Sequence, residues 1–179
     1  MRRVLVAGII TLLGCGSTES TNPNDLIPQS YKVSECGGFE APASAGDFAP
    51  TSYCDAEVLK WSFDSASGTL KLSDNRALLN CCGERKMSLT EQLDGSYEIM
   101  ETDAPEAQTG SRCHCMCVFD LSMEATAIAA GSIQVQLKRE VTDSGNGVES
   151  IWSGALDLTQ GSGEVVIDST DAGMWCGQP

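Results

Sequence analysis

Residues 113–123 read Cys113-His114-Cys115-Met116-Cys117-Val118-Phe119-Asp120-Leu121-Ser122-Met123. The odd-numbered positions carry three cysteines, then Phe, Leu and Met. The even-numbered positions carry His, Met, Val, Asp and Ser. Side chains alternate across an extended strand, so the stretch has one apolar face and one increasingly polar face. On this reading Cys113, Cys115 and Cys117 point toward a core and His114 points away from it.

The same two-residue period recurs on both sides. Trp61 and Phe63 alternate with Ser62 and Asp64, and Leu70 and Leu72 follow a turn at Asp64-Ser-Ala-Ser-Gly68. Met87 and Leu89 precede Asp94-Gly95, and Tyr97 and Ile99 follow. Asp-Gly between two alternating runs is a hairpin signal, with a loop here wider than two residues. Ile133, Val135 and Leu137 alternate, Ser144-Gly-Asn-Gly147 turns, and Trp152, Leu156 and Leu158 form the next strand. Gly161-Ser-Gly163 closes it before Val165-Val166-Ile167. Asp120 to Gly131 holds the only helix-forming run and reads as a loop or single turn. About eight or nine short strands separated by Gly, Asp, Asn and Ser predict an all-β fold, an antiparallel β-sandwich or barrel-like meander.

Composition narrows the function. The chain has 179 residues, enough for one domain, and 41% hydrophobic residues, enough for a core. Its formal charge is −14, which repels phosphate backbones and argues against nucleic-acid binding. The single histidine, His114, leaves no His-rich metal site. No Gly-x-Ser-x-Gly elbow or Gly-rich phosphate loop is present, and no pair of carboxylates can be nominated for acid–base work. Glu98 and Asp120 fall at positions facing either way. Asp143-Ser-Gly-Asn-Gly-Val-Glu149 has oxygens at alternate positions but lacks the rest of a calcium loop, and a hairpin turn explains it. The reading is of a protein with no catalytic residues and no cofactor.

The N-terminus decides the compartment. Arg2 and Arg3 precede an apolar run from Val4 to Leu13, too short to span a bilayer as a stable helix. Leu12-Leu13-Gly14-Cys15 resembles the lipobox of bacterial lipoproteins. That resemblance implies a signal peptide over 1–14, cleavage before Cys15, diacylglycerol on the Cys15 sulfur and acylation of the new amine. Two or three acyl chains make anchoring stable where one does not. Gly16, rather than Asp, resembles the pattern that permits outer-membrane delivery. Residues 15–34 then form the lipidated cysteine and a polar, flexible tether, and residues 35–179 a Cys-rich β domain. Loss of Arg2 and Arg3 takes the charge from −14 to −16.

With Cys15 assigned to lipid, eight of the nine cysteines remain: Cys36, Cys54, Cys81, Cys82, Cys113, Cys115, Cys117 and Cys176. An even set in an oxidising compartment is a disulfide framework first, and eight cysteines allow 105 pairings. Cysteines two apart on one strand face lie about 6.6 Å apart with parallel side-chain vectors, so each of Cys113, Cys115 and Cys117 should pair elsewhere. Adjacent Cys81 and Cys82 would face opposite ways on a strand, unless Gly83 marks a bulge, and are too close to bridge each other. A Cys36–Cys54 bridge closing an irregular flap over 36–56 is the natural guess. The competing reading is a thiolate site for Cu(I) or Zn(II), or a thiol–disulfide centre, on the Cys113/Cys115/Cys117 strand. Its two-residue spacing is not the Cys-x2-Cys knuckle of structural zinc.

The Cys81-Cys82-Gly83 and Cys-x-Cys-x-Cys-Val-Phe-Asp patterns are similar to those of uncharacterised bacterial envelope lipoproteins, a resemblance that implies location but no activity. The functional expectation is a non-catalytic, membrane-anchored module of the bacterial cell envelope. Its ligand would be a protein, peptide or glycan, and the outer membrane or cell surface its place.

Overall fold

The structure, a computed structural model, describes residues 29–38, 54–173 and 176. The signal peptide, Cys15 and most of the tether and flap readings lie outside the described residues. Nine strands are described: β1 (Gln29–Val33), β2 (Glu57–Asp64), β3 (Thr69–Asn80), β4 (Glu84–Glu91), β5 (Tyr97–Ala104), β6 (Met116–Ala125), β7 (Ser132–Val141), β8 (Val148–Asp157) and β9 (Ser162–Asp168). A single 3-10 turn, Leu158–Gln160, joins β8 to β9.

The strands form two sheets. The first is ordered β1-β6-β3-β2-β9 and the second β4-β5-β7-β8. The sheets pack face to face, as the alternating pattern requires when each strand has one apolar side. Leu59, Leu70, Leu72, Leu121 and Met123 of the first sheet meet Met87, Leu89, Ile99, Leu137 and Leu156 of the second. Cys117 and Phe119 complete the buried face that the alternation assigned to the Cys-rich stretch. The fold is a disulfide-stapled β-sandwich.

The turns fall where glycine and aspartate predict them. Residues 65–68 join β2 to β3, residues 92–96 join β4 to β5, and residues 142–147 join β7 to β8. Ladder neighbours in the first sheet are antiparallel, but β5 and β7 in the second are parallel, with Glu101 opposite Arg139. Parallel neighbours need a long crossover. Here the crossover contains β6, which belongs to the other sheet.

Four expectations are corrected. First, the tether does not extend to residue 34. Gln29–Val33 pairs with β6, from Gln29 opposite Ala125 to Val33 opposite Leu121. The Gln29 side-chain amide also accepts from the Leu89 backbone N–H at 2.7 Å and donates to the Leu89 carbonyl, linking the two sheets at this edge. Second, the helix-forming run continues β6 through Ala125, and only residues 126–131 are a loop. Third, the Cys-rich strand begins at Met116, not Cys113. The Asn80 side chain takes the place of a ladder partner there: its amide donates to the Cys113 carbonyl at 2.8 Å and accepts from the backbone N–H groups of Cys113 and Cys82. Fourth, Cys81, Cys82 and Gly83 form a bend between β3 and β4, so strand alternation does not apply to the two cysteines.

Candidate functional site

The eight cysteines form four disulfides: Cys36–Cys117, Cys54–Cys176, Cys81–Cys115 and Cys82–Cys113. Their Cα separations run from 5.3 to 5.7 Å, within the ordinary disulfide range. The guessed Cys36–Cys54 pair is not formed. Cys36 lies beside the start of β6, where the Gly37 N–H donates to the Val118 carbonyl, while Cys54 lies with Ala172 near the start of β2. As expected, Cys113, Cys115 and Cys117 each pair outside their own stretch: Cys117 with Cys36, and Cys113 and Cys115 with the two adjacent cysteines of the bend at residues 81–83. Only Cys117 is fully buried; Cys113 and Cys115 are half-buried and His114 is exposed. The three sulfurs on which a thiolate centre would depend are thus each bonded to sulfur. Among the described residues, no group of three or more His, Cys, Asp and Glu converges to hold a metal ion.

All four bridges cluster at one end of the sandwich, where β3 ends and β2 and β6 begin. The same end carries an ionic layer between the sheets. The inward phase of β5 runs Tyr97, Ile99, Glu101, Asp103, all buried. Glu101 meets Arg139 of β7, which also reaches Glu57 of β2 and Asp74 of β3. The Arg139 Nη2 lies 2.6 Å from Glu57, 2.9 Å from Asp74 and 2.7 Å from Glu101. Three buried carboxylates therefore face one guanidinium. Burial first, then the charges of Glu101 and Glu57, push the Asp74 carboxyl well above its ordinary value of 3.8. Burial opposes the charge on Arg139, but the three carboxylates outweigh it and hold the arginine protonated.

Asp103, next inward on β5, takes Arg112 at 2.7 Å, and Arg112 extends to Asp143 at 2.6 Å. The Asp143 carboxyl is held below its ordinary value by that hydrogen bond, so the loop over residues 143–149 places its first carboxylate on an arginine. Arg85 stacks over the Phe119 ring, 3.7 Å from its centroid, and donates to the Asn80 carbonyl. Arg76 sits in the break of the β3–β6 ladder between Asp74 and Ala77, and its guanidinium donates to the carbonyls of Cys54, Asp168 and Thr170. The four described arginines thus all serve internal contacts.

The outer face of the first sheet is built differently. It carries a recess of about 520 Å³ over β1, β6, β3 and β2. The registers lay two polar rows across it. In one row, Lys32 stands opposite Ser122, Ser122 opposite Ser73, and Ser73 opposite Lys60. In the next, Ser30 stands opposite Glu124, Glu124 opposite Lys71, and Lys71 opposite Ser62. Lys71 lies 3.5 Å from Glu124, and both side chains are largely exposed. Three of the five lysines of an otherwise acidic chain share this face. The sequence reading missed it because the lysines belong to three strands far apart in the chain. The signal was present in the outward phase of each: Ser30/Lys32, Lys60/Ser62 and Lys71/Ser73.

These features define a disulfide-stapled, all-β sandwich with a charged inner layer at one end and a lysine–serine recess on one outer face. No known protein family, no curated protein and no solved structure matches the chain.

Proposed function

We propose that this chain is a lipid-anchored extracytoplasmic protein of the bacterial cell envelope, whose sandwich serves as a non-catalytic binding or structural module. One observation carries the reading: four disulfides use eight of nine cysteines, and the ninth, Cys15, stands at the end of Leu12-Leu13-Gly14-Cys15. A cytosolic chain keeps its thiols reduced, so four bridges in one small domain support export. The polar stretch after Cys15 then acts as the spacer between lipid and domain, ending at β1.

Two chemical facts support a binding or structural role over a catalytic one. The buried carboxylates are committed to Arg139, to Arg112 and, for Asp120, to the Arg76 backbone N–H, and His114 is exposed on the surface. The test is mass spectrometry of the N-terminal peptide after expression of the full chain in a Gram-negative host. Diacylated Cys15 in the membrane fraction, and release of the protein by Cys15→Ser, is the expected result. An unprocessed chain in the cytosol, still carrying Arg2 and Arg3 and an unmodified Cys15, overturns the reading.

A further inference from the structure

We propose that Asn146 is a site of spontaneous covalent modification, where the side-chain amide is lost through a cyclic imide to give aspartate and isoaspartate. Asn146-Gly147 is the one Asn-Gly step in the chain. It lies in the turn between β7 and β8, and both residues are exposed. The reaction needs the backbone nitrogen after an asparagine to reach that asparagine's own side-chain carbonyl carbon. A following side chain hinders the approach, and glycine has none. The turn is held one step earlier: the Ser144 N–H donates to the Val141 carbonyl at 2.9 Å, and the Ser144 hydroxyl accepts from the Asn146 N–H at 3.2 Å. The Gly147 N–H and the Asn146 side-chain amide have no hydrogen-bond partner among the described residues, so neither reacting group is tied down. The Gly147 nitrogen gives its proton to hydroxide and bonds to Asn146 Cγ, the bond from Cγ to the side-chain nitrogen breaks, and ammonia leaves. Water then opens the imide at either carbonyl. One opening leaves aspartate, and the other routes the main chain through Cγ and leaves isoaspartate. Nothing is oxidised or reduced.

The fold guards the comparable positions. Asp94-Gly95 could form the same imide, but the Gly95 N–H donates to the Gln92 carbonyl at 2.9 Å. The Asp94 carboxylate accepts from the Ser96 N–H at 2.9 Å and from its hydroxyl at 2.6 Å. Those bonds hold the carboxyl below its ordinary value and keep it ionised, and a carboxylate is a poor target for a nucleophile. Asn75 is buried and precedes Arg76, whose side chain crowds the attack. The Asn80 side chain is engaged by the Cys113 carbonyl and by the N–H groups of Cys113 and Cys82. Conversion at Asn146 takes the formal charge from −14 to −15. It places a new carboxylate in the turn whose Asp143 already binds Arg112. The isoaspartyl form also lengthens the main chain of the turn between two paired strands.

The test ages the full-length protein, disulfides intact, in detergent micelles and heavy-oxygen water at neutral and mildly alkaline pH. Cleavage after Glu140 and Glu149 releases the peptide that holds Asn146, and mass spectrometry with chromatography separates its asparaginyl, aspartyl and isoaspartyl forms. The expected result is loss of the Asn146 amide in the folded protein at nearly the rate of the reduced, denatured chain. Both labelled products should appear, faster at the higher pH. Asn75 and Asn80 should keep their amides in the folded protein, and Asp94 should isomerise only after unfolding. Asn146→Gln, which lengthens the side chain and disfavours ring closure, should abolish the conversion in that peptide. An Asn146 that keeps its amide in the folded protein while the denatured chain loses it overturns the proposal. So does aspartate without isoaspartate, which would mean direct hydrolysis, and so does isomerisation of Asp94 in the folded protein as fast as conversion of Asn146.

Discussion

Asp120 accepts the backbone N–H of Arg76 at 3.0 Å across the break in the β3–β6 ladder. The two residues exchange no side-chain charge in this bond. The carboxylate instead substitutes for the carbonyl that the interrupted ladder no longer presents. Arg76 holds a φ of 74°, a left-handed conformation in which a bulky residue is strained. Its side chain offsets that strain by gathering three carbonyls from the segments around Cys54 and Thr170. The break in β3 thereby becomes the point that ties the chain after β9 to the sheet.

Removing the Asp120 carboxylate should expose its importance. Asp120→Ala leaves a buried backbone N–H without its acceptor and should cost about 1–3 kcal/mol. Urea unfolding checks this, and Asp120→Asn, which keeps an oxygen, should recover part of the loss. Equal stability of Asp120→Ala and the parent would show that the ladder break is satisfied some other way.

Arg139 is the sole cation in contact with three buried carboxylates among the described residues. Its side chain is only 12% exposed, so solvent screens the pairs weakly. Arg139→Met should destabilise the domain by about 3–5 kcal/mol, the cost of stranding buried charge. Thermal unfolding at neutral pH reads the effect.

The raised carboxyl of Asp74 makes stability fall with rising pH. Its folded-state value lies above its unfolded one, so the folded protein binds the extra proton. Stability is therefore greatest below the unfolded value and declines through the interval up to the folded value. Asp74→Asn, which keeps an oxygen for Arg139 and cannot ionise, should flatten that decline and be the more stable form at alkaline pH. Chemical denaturation of both proteins across neutral to alkaline pH checks the sign. A steeper decline in the variant would refute it.

The Cys54–Cys176 bridge spans 122 residues, the longest separation of the four. Replacing both cysteines by alanine should cost about 2–5 kcal/mol, through the entropy returned to the unfolded chain. The loss should concentrate near the ends of β2 and β9, where Arg76 binds both segments. Hydrogen exchange at Val58 and Val166 would locate it.

Most of the architecture was legible in the sequence because local rules act alone there. Alternation placed Phe119, Leu121 and Met123 in the core, and Asp-Gly fixed the β4–β5 hairpin. β1 was not legible, since Gln29-Ser-Tyr-Lys-Val33 is short and polar and owes its extended form to pairing with β6 and to the Gln29–Leu89 bonds. The ionic layer was half-legible. Glu101 and Asp103 continue the inward phase of Tyr97 and Ile99, yet nothing local shows that Arg139 waits opposite in a parallel register. Disulfide partners were not legible, because Asn80 and the bend at Gly83, not strand phase, bring Cys81 and Cys82 to the Cys-rich segment. A side chain added at Gly83 would run into the Ala104 carbonyl, so that bend tolerates only glycine.

The connectivity has a consequence for biogenesis. Taken in chain order, the cysteines pair first with seventh, second with eighth, third with sixth and fourth with fifth. A nascent polypeptide threading out N-terminus first presents Cys36 and Cys54, then Cys81 and Cys82, before any correct mate has emerged. An oxidant that joined thiols as they appeared would begin by linking Cys36 to Cys54, which is not one of the final bridges. Maturation must therefore hold the early thiols open or unscramble their mistakes, and the yield of active molecules should track the host's isomerase rather than its oxidase.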